Sequence, residues 1–163
     1  MRSKSRVLAA AVMAVIAITA IAYAQNIMGS ITVETKEAVT VNDISGTFPA
    51  RSAGVREYDD VITLSLTTSN GFQDNDDVVV RVELVPLDAE VYAGFRALTI
   101  QIIYGSDPVA TLTMNTPYDE FTVEDIDTDP GEYTYDVKII FATGSKEVTA
   151  DIGLKVTIVG VLP

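Results

Sequence analysis

The chain has 163 residues, with 23 acidic against 11 basic side chains and a net charge of −12; histidine, cysteine and tryptophan are all absent. That charge argues against anionic partners such as nucleic acid or acidic membrane surfaces. The missing side chains remove the commonest general base, the commonest transition-metal ligand and all thiol chemistry, and with them Ser–His–Asp catalysis and the usual zinc hydrolysis.

The first element is an export signal. Arg2, Lys4 and Arg6 precede an apolar run over residues 7–22, and Ala22-Tyr23-Ala24 has the small-x-small form of a signal peptidase site. A retained anchor is the alternative, because the run is near the lower length for a spanning helix. A pilin-type cut before the apolar run lacks its small junction residue, since Arg6 meets Val7 there. Cleavage after Ala24 leaves 163 − 24 = 139 residues with a charge of −12 − 3 = −15 and no stable membrane anchor. The organisation expected is residues 1–24 as signal, 25–35 as a separate N-terminal strand and 36–163 as one domain.

From Ile31 onward the periodicity is two, the mark of half-buried strands. Ile31, Val33, Val39 and Val41 share one parity. Residues 44–60, with Gly46, Pro49 and Gly54, read as a long loop. A strand follows on Ile62, Leu64 and Leu66, then an acidic turn, then a strand on Val78, Val80, Val82 and Leu84. Residues 86–97 suit a short helical or turn segment. Strands resume on Leu98, Ile100 and Ile102, and again over residues 109–114. Residues 115–132 read as an acidic loop. A strand with Tyr133, Tyr135, Val137, Ile139 and Phe141 on one side leads through a hairpin turn to the last strand. That strand is expected to bury Val148, Ile152, Leu154, Val156 and Ile158.

Seven or eight strands with little helix predict an all-β fold, a single antiparallel β-sandwich of immunoglobulin-like or jelly-roll type. An Asp/Gly turn feeding the Tyr133-Thr134-Tyr135 strand is the setting of a tyrosine corner, with either tyrosine as the hydroxyl donor. Two ordinary strand aromatics would read the same way.

Acidic loops are the one candidate for chemistry. Asp74, Asp76 and Asp77 form one cluster, Asp119 and Glu120 a second, and Glu124, Asp125, Asp127 and Asp129 a third. Carboxylates so clustered can coordinate Ca²⁺, which takes six to eight oxygens. The glycine and distal glutamate of an EF-hand are missing, and solvated loops have the same composition. No cofactor is required by anything in the chain, and no nucleophile–base pair is visible, so an enzyme is not expected.

The N-terminal strand carries more information. A strand freed by a cleavage site can pair with the open sheet edge of another molecule, and such head-to-tail pairing propagates. Gln25, Ile27, Gly29, Ile31 and Val33 would then form the donor face, and the last strand, Val148 to Val159, is a candidate for the acceptor edge. Keeping the strand in its own sheet is the plainer alternative.

The stretch "DDVVVRVELVPLDAEVYAGFRALTIQII", residues 76–103, and the start "AYAQNIMGSITVE" resemble the extracellular filament proteins of hyperthermophilic archaea. These are the bundling pilins and cannula subunits, with TasA-like biofilm matrix fibre proteins as distant relatives. The resemblance implies a secreted subunit that joins itself into a head-to-tail homopolymer by donor-strand complementation, with possible lateral bundling and, in the cannula proteins, Ca²⁺ at subunit contacts. The alternative function is a secreted, monomeric calcium-binding adhesin or surface-layer accessory domain.

Overall fold

The computed structural model describes residues 38–85 and 92–162. They build nine strands: β1 (Val39–Val41), β2 (Ile44–Phe48), β3 (Ala53–Ser65), β4 (Asp77–Val85), β5 (Phe95–Tyr104), β6 (Asp107–Thr113), β7 (Tyr118–Val123), β8 (Glu132–Thr143) and β9 (Val148–Leu162). One sheet has the order β1-β3-β8-β5-β6 and the other β2-β9-β4-β7. All pairings are antiparallel. The two inner faces close on one core, so the chain is an all-β sandwich as its alternation predicts.

The alternation explains why these segments are strands. In β4 the residues Val78, Val80, Val82 and Leu84 are buried while Arg81 faces water. In β8 the buried set is Tyr135, Val137, Ile139, Phe141 and Thr143. Period-two burial of β-branched and aromatic side chains fits a pleated surface with one wet face. Phe48 anchors one end of the core, with its ring edge-on to both Phe95 and Phe141 at 5.1 and 4.8 Å.

Two segments expected to be loops are strands, which raises the number from seven or eight to nine. Within residues 44–60, β2 and the first half of β3 form because each completes the other. The inward positions of β3 there are Gly54, Arg56 and Tyr58 rather than aliphatic residues, so the hydrophobic pattern is hidden. The Arg56 guanidinium lies over the Phe48 ring at 4.6 Å and donates to the Thr47 carbonyl, and the Tyr58 hydroxyl donates to the Ser45 carbonyl at 3.3 Å. Gly46 makes this possible, because a Cβ there would stand 2.7 Å from Arg56 Nη1. Within residues 115–132, β7 pairs with β4 from Val78↔Val123 to Glu83↔Tyr118. Only Phe121 and Val123 of its six residues are buried, too few to show as alternation. In residues 86–97, β5 already begins at Phe95, and Phe95 is buried. Residues 86–91 lie outside the described part.

Candidate functional site

The longest strand is β9, with 15 residues, and its two halves have different neighbours. Val148 to Ile152 pair with β2. Gly153 to Leu162 pair with β4 on the opposite side. The chain before β2 leaves this sheet at Ile44 and continues back into β1, which pairs with β3 in the other sheet. Among the described residues, Gly153–Leu162 therefore has a partner on one side alone.

The core-facing side of the same half is incompletely covered. Leu154, Val156, Ile158 and Val161 stand opposite Leu84, Val82, Val80 and Val78 in the ladder, and directly opposed residues share a face. The three valines of β4 are 0% exposed, yet Leu154, Val156 and Ile158 are only partly buried and Val161 is 43% exposed. Sequence alternation marks Leu154, Val156 and Ile158 as buried, and the structure corrects this to half-buried: they pack against the core, but no described strand is hydrogen-bonded to β9 on that side.

The edge strands β1, β2, β6 and β7 and the free stretch of β3 carry features that oppose strand addition. β1 has three residues and β2 five, and two β2 carbonyls are occupied by Arg56 and Tyr58. The free stretch of β3 ends in a bulge between Tyr58 and Ile62, with Asp60 at φ 50°. β6 carries Pro108 and a register shift, and Asp119 Oδ2 accepts the Thr111 amide at 2.9 Å. β7 is six residues long with Asp119 and Glu120 on it. Short edges, bulges, proline and charge are the usual devices against strand addition. From Gly153 to Ile158, β9 has one charge, Lys155, and no register shift; its bulge comes later, opposite Val79 and Val80.

Two of the three acidic clusters predicted from sequence come together. Asp77 Oδ1 accepts the Asp125 amide at 3.0 Å, and Asp74 Oδ1 accepts from the Thr128 amide and hydroxyl at 3.1 and 2.6 Å. Backbone bonds Asn75 N to Ile126 O and Ile126 N to Asp76 O lace the loops further. The carboxylates serve as internal acceptors: Asp76 Oδ2 takes the Gln73 amide and Asp127 Oδ1 the Asp129 amide. The Thr128 hydroxyl and then its amide hold the Asp74 carboxyl below its ordinary value. Among the described residues no three such groups are gathered to hold a cation. The Asp119–Glu120 cluster stands apart; Glu120 pairs with Arg81 at 2.6 Å and raises the arginine's pKa.

Tyr133 supplies the corner hydroxyl. Its oxygen accepts the Asp127 amide, six residues upstream, at 2.8 Å. Gly131 at φ 64° turns the chain beneath it; a Cβ there would meet Thr128 O at 2.8 Å and Leu66 O at 2.9 Å. Tyr135 is instead a core aromatic, packed on Phe121 and Tyr104, and burial pushes its hydroxyl pKa up.

No family model and no curated protein matches the chain. The donor residues Gln25, Ile27, Gly29, Ile31 and Val33 lie outside the described residues.

Proposed function

We propose that the chain is a secreted structural subunit of an extracellular filament, in which residues 25–35 of one copy add a strand to the β9 edge of the next. The observation that carries this reading is the half-covered apolar face of Gly153–Leu162 beside an unpaired edge, on a sandwich whose edge strands β1, β2, β6 and β7 are guarded. An extended segment of alternating apolar residues fits such an edge, with backbone hydrogen bonds for affinity and side-chain positions for register. Residues 25–37 are thirteen, about 43 Å when extended, which is enough to cross to a neighbour. Each Ile or Val fully buried contributes about 1.5–3 kcal/mol before ordering costs, so Ile27, Ile31 and Val33 together suffice for a durable joint. Such a joint needs no disulfide, in keeping with a chain that has no cysteine.

The absence of cysteine also gives a clean test. A mature chain carrying both Ile31→Cys and Val156→Cys is expected to form filaments that yield a ladder of covalent multimers on a non-reducing gel. Each single variant gives at most dimers. Filaments that form normally but yield no ladder, or normal filaments from a chain lacking residues 25–35, would sink the reading.

The approach of the two acidic loops favours a second reading, a monomeric calcium-dependent adhesin. It requires a melting temperature that rises with Ca²⁺ and a chain that stays monomeric after signal cleavage.

A further inference from the structure

The charges of the sandwich are sorted by end. The loops 66–77 and 124–132 meet at the end where β8 starts and β9 finishes. They carry eight carboxylates, on Asp74, Asp76, Asp77, Glu124, Asp125, Asp127, Asp129 and Glu132, and no lysine or arginine.

The opposite end gathers cations. There the turn after β2, the hairpin between β8 and β9 and the start of β5 are tied together by backbone bonds from Arg51 N to Gly144 O and from Gly144 N to Gly94 O. Thr143 locks the same corner; its buried hydroxyl accepts the Ser52 amide at 2.9 Å and donates to the Pro49 carbonyl at 2.5 Å. This platform presents Arg51, Arg96 and Lys146, all exposed. The other basic residues on the described strands are already engaged: Arg81, Lys138 and Lys155 pair with Glu120, Glu57 and Glu83, and Arg56 stacks on Phe48. None of the three platform cations pairs with a described carboxylate. Glu147 is beside them, and Asp88 and Glu90 belong to the undescribed connection between β4 and β5. Among the described residues this end carries three cations and one carboxylate, against eight carboxylates and no cation at the other.

A chain this acidic repels its own copies in most orientations. Joining like ends would oppose the two acidic loop pairs, which is costly. We propose that the two ends are complementary docking surfaces, with Arg51, Arg96 and Lys146 of one copy set against the loops 66–77 and 124–132 of the next, so that charge fixes a head-to-tail order. This rests on the filament reading, and it adds the surface that orients each incoming subunit. The described chain begins at the acidic end, where Ala38 O accepts the Ser65 amide. It therefore starts at the surface that would meet the neighbour. Electrostatic pairing of this kind acts chiefly on association rate and is weakened by salt.

The test uses the full mature chain and follows filament growth by light scattering at low and high salt. Wild type is expected to grow about tenfold or more slowly in high salt. One variant reverses the cationic end (Arg51→Glu, Arg96→Glu, Lys146→Glu). A second reverses the acidic end at three exposed carboxylates (Glu124→Lys, Asp129→Lys, Glu132→Lys). Each should slow growth at low salt by a similar factor, and the chain carrying all six changes should recover most of the rate. Far-UV circular dichroism checks folding, and the wild-type salt response stands as evidence even if a variant misfolds. Salt-independent wild-type growth, single-end variants that grow at the wild-type rate, or a six-change chain as slow as either parent each overturn the docking proposal while filaments persist. A wild-type chain that never polymerises overturns the filament reading itself, and the docking proposal with it.

Discussion

The phenolic oxygen of Tyr133 accepts the backbone amide of Asp127 at 2.8 Å, holding the end of the acidic loop against the first turn of β8. Its neighbour on the same strand face, Tyr135, makes no such bond and is buried among rings instead.

Tyr133→Phe should therefore cost more than Tyr135→Phe. The first leaves an amide to find a new partner, a loss of about 1 kcal/mol. The second keeps the ring packed on Phe121 and Tyr104 and removes a hydroxyl that makes no comparable bond. Urea unfolding of the two variants reads the difference, and equal losses would deny Tyr133 the corner role.

Thr143→Val keeps the shape of the side chain and removes its hydroxyl. Ser52 N–H and Pro49 C=O would lose their partner in a buried corner, at about 1–3 kcal/mol. Thr143→Ser should recover most of the loss because it restores the oxygen. Thermal unfolding of the pair is the measurement.

Acid should weaken the laced loops. Asp74's pKa is depressed in the folded state by the Thr128 bonds. A depressed carboxylate stabilises above its unfolded value of about 4, and that contribution is lost as pH falls through the lower folded value. Thr128→Val should thus lower the urea midpoint at neutral pH, and the difference from wild type should shrink at about pH 2 to 3. A gap that stays constant with pH would mean that Thr128 acts only through packing.

Val161→Lys places a charge on the open half of β9. Val161 is 43% exposed, so the domain itself should change by less than about 1 kcal/mol. Strand addition should suffer far more, because an inward-facing lysine is a natural guard of an edge. The expected outcome is a folded monomer by circular dichroism with filament yield sharply reduced. Undiminished filaments would move the acceptor surface elsewhere.

What could be read in advance followed from the side chains a strand needs to show. β4, β5 and β8 bury an unbroken series of aliphatic or aromatic residues, so their period is visible in the letters. The start of β3 fills its inward positions with Gly54, Arg56 and Tyr58, whose fit to Phe48 and Gly46 depends on a neighbour strand. β7 is hidden because only Phe121 and Val123 of its six residues are buried, too few to make a visible period. The acidic clusters were legible as composition, but Asp77 and Asp125 are 48 residues apart, and only the ladder of β4 against β7 brings them together. For β9, alternation named the inward residues correctly, but it could not say how much of that face would be covered.

β9 also decides how the molecule bears load. It runs through the whole four-stranded sheet, held by β2 along its first third and by β4 along the rest. In a filament joined along its free margin, tension would pass parallel to these ladders. A shear pull must break many backbone bonds at once, whereas a peeling pull opens them one by one. The same register that leaves β9 half open would make a joint formed along it resist shear better than peeling.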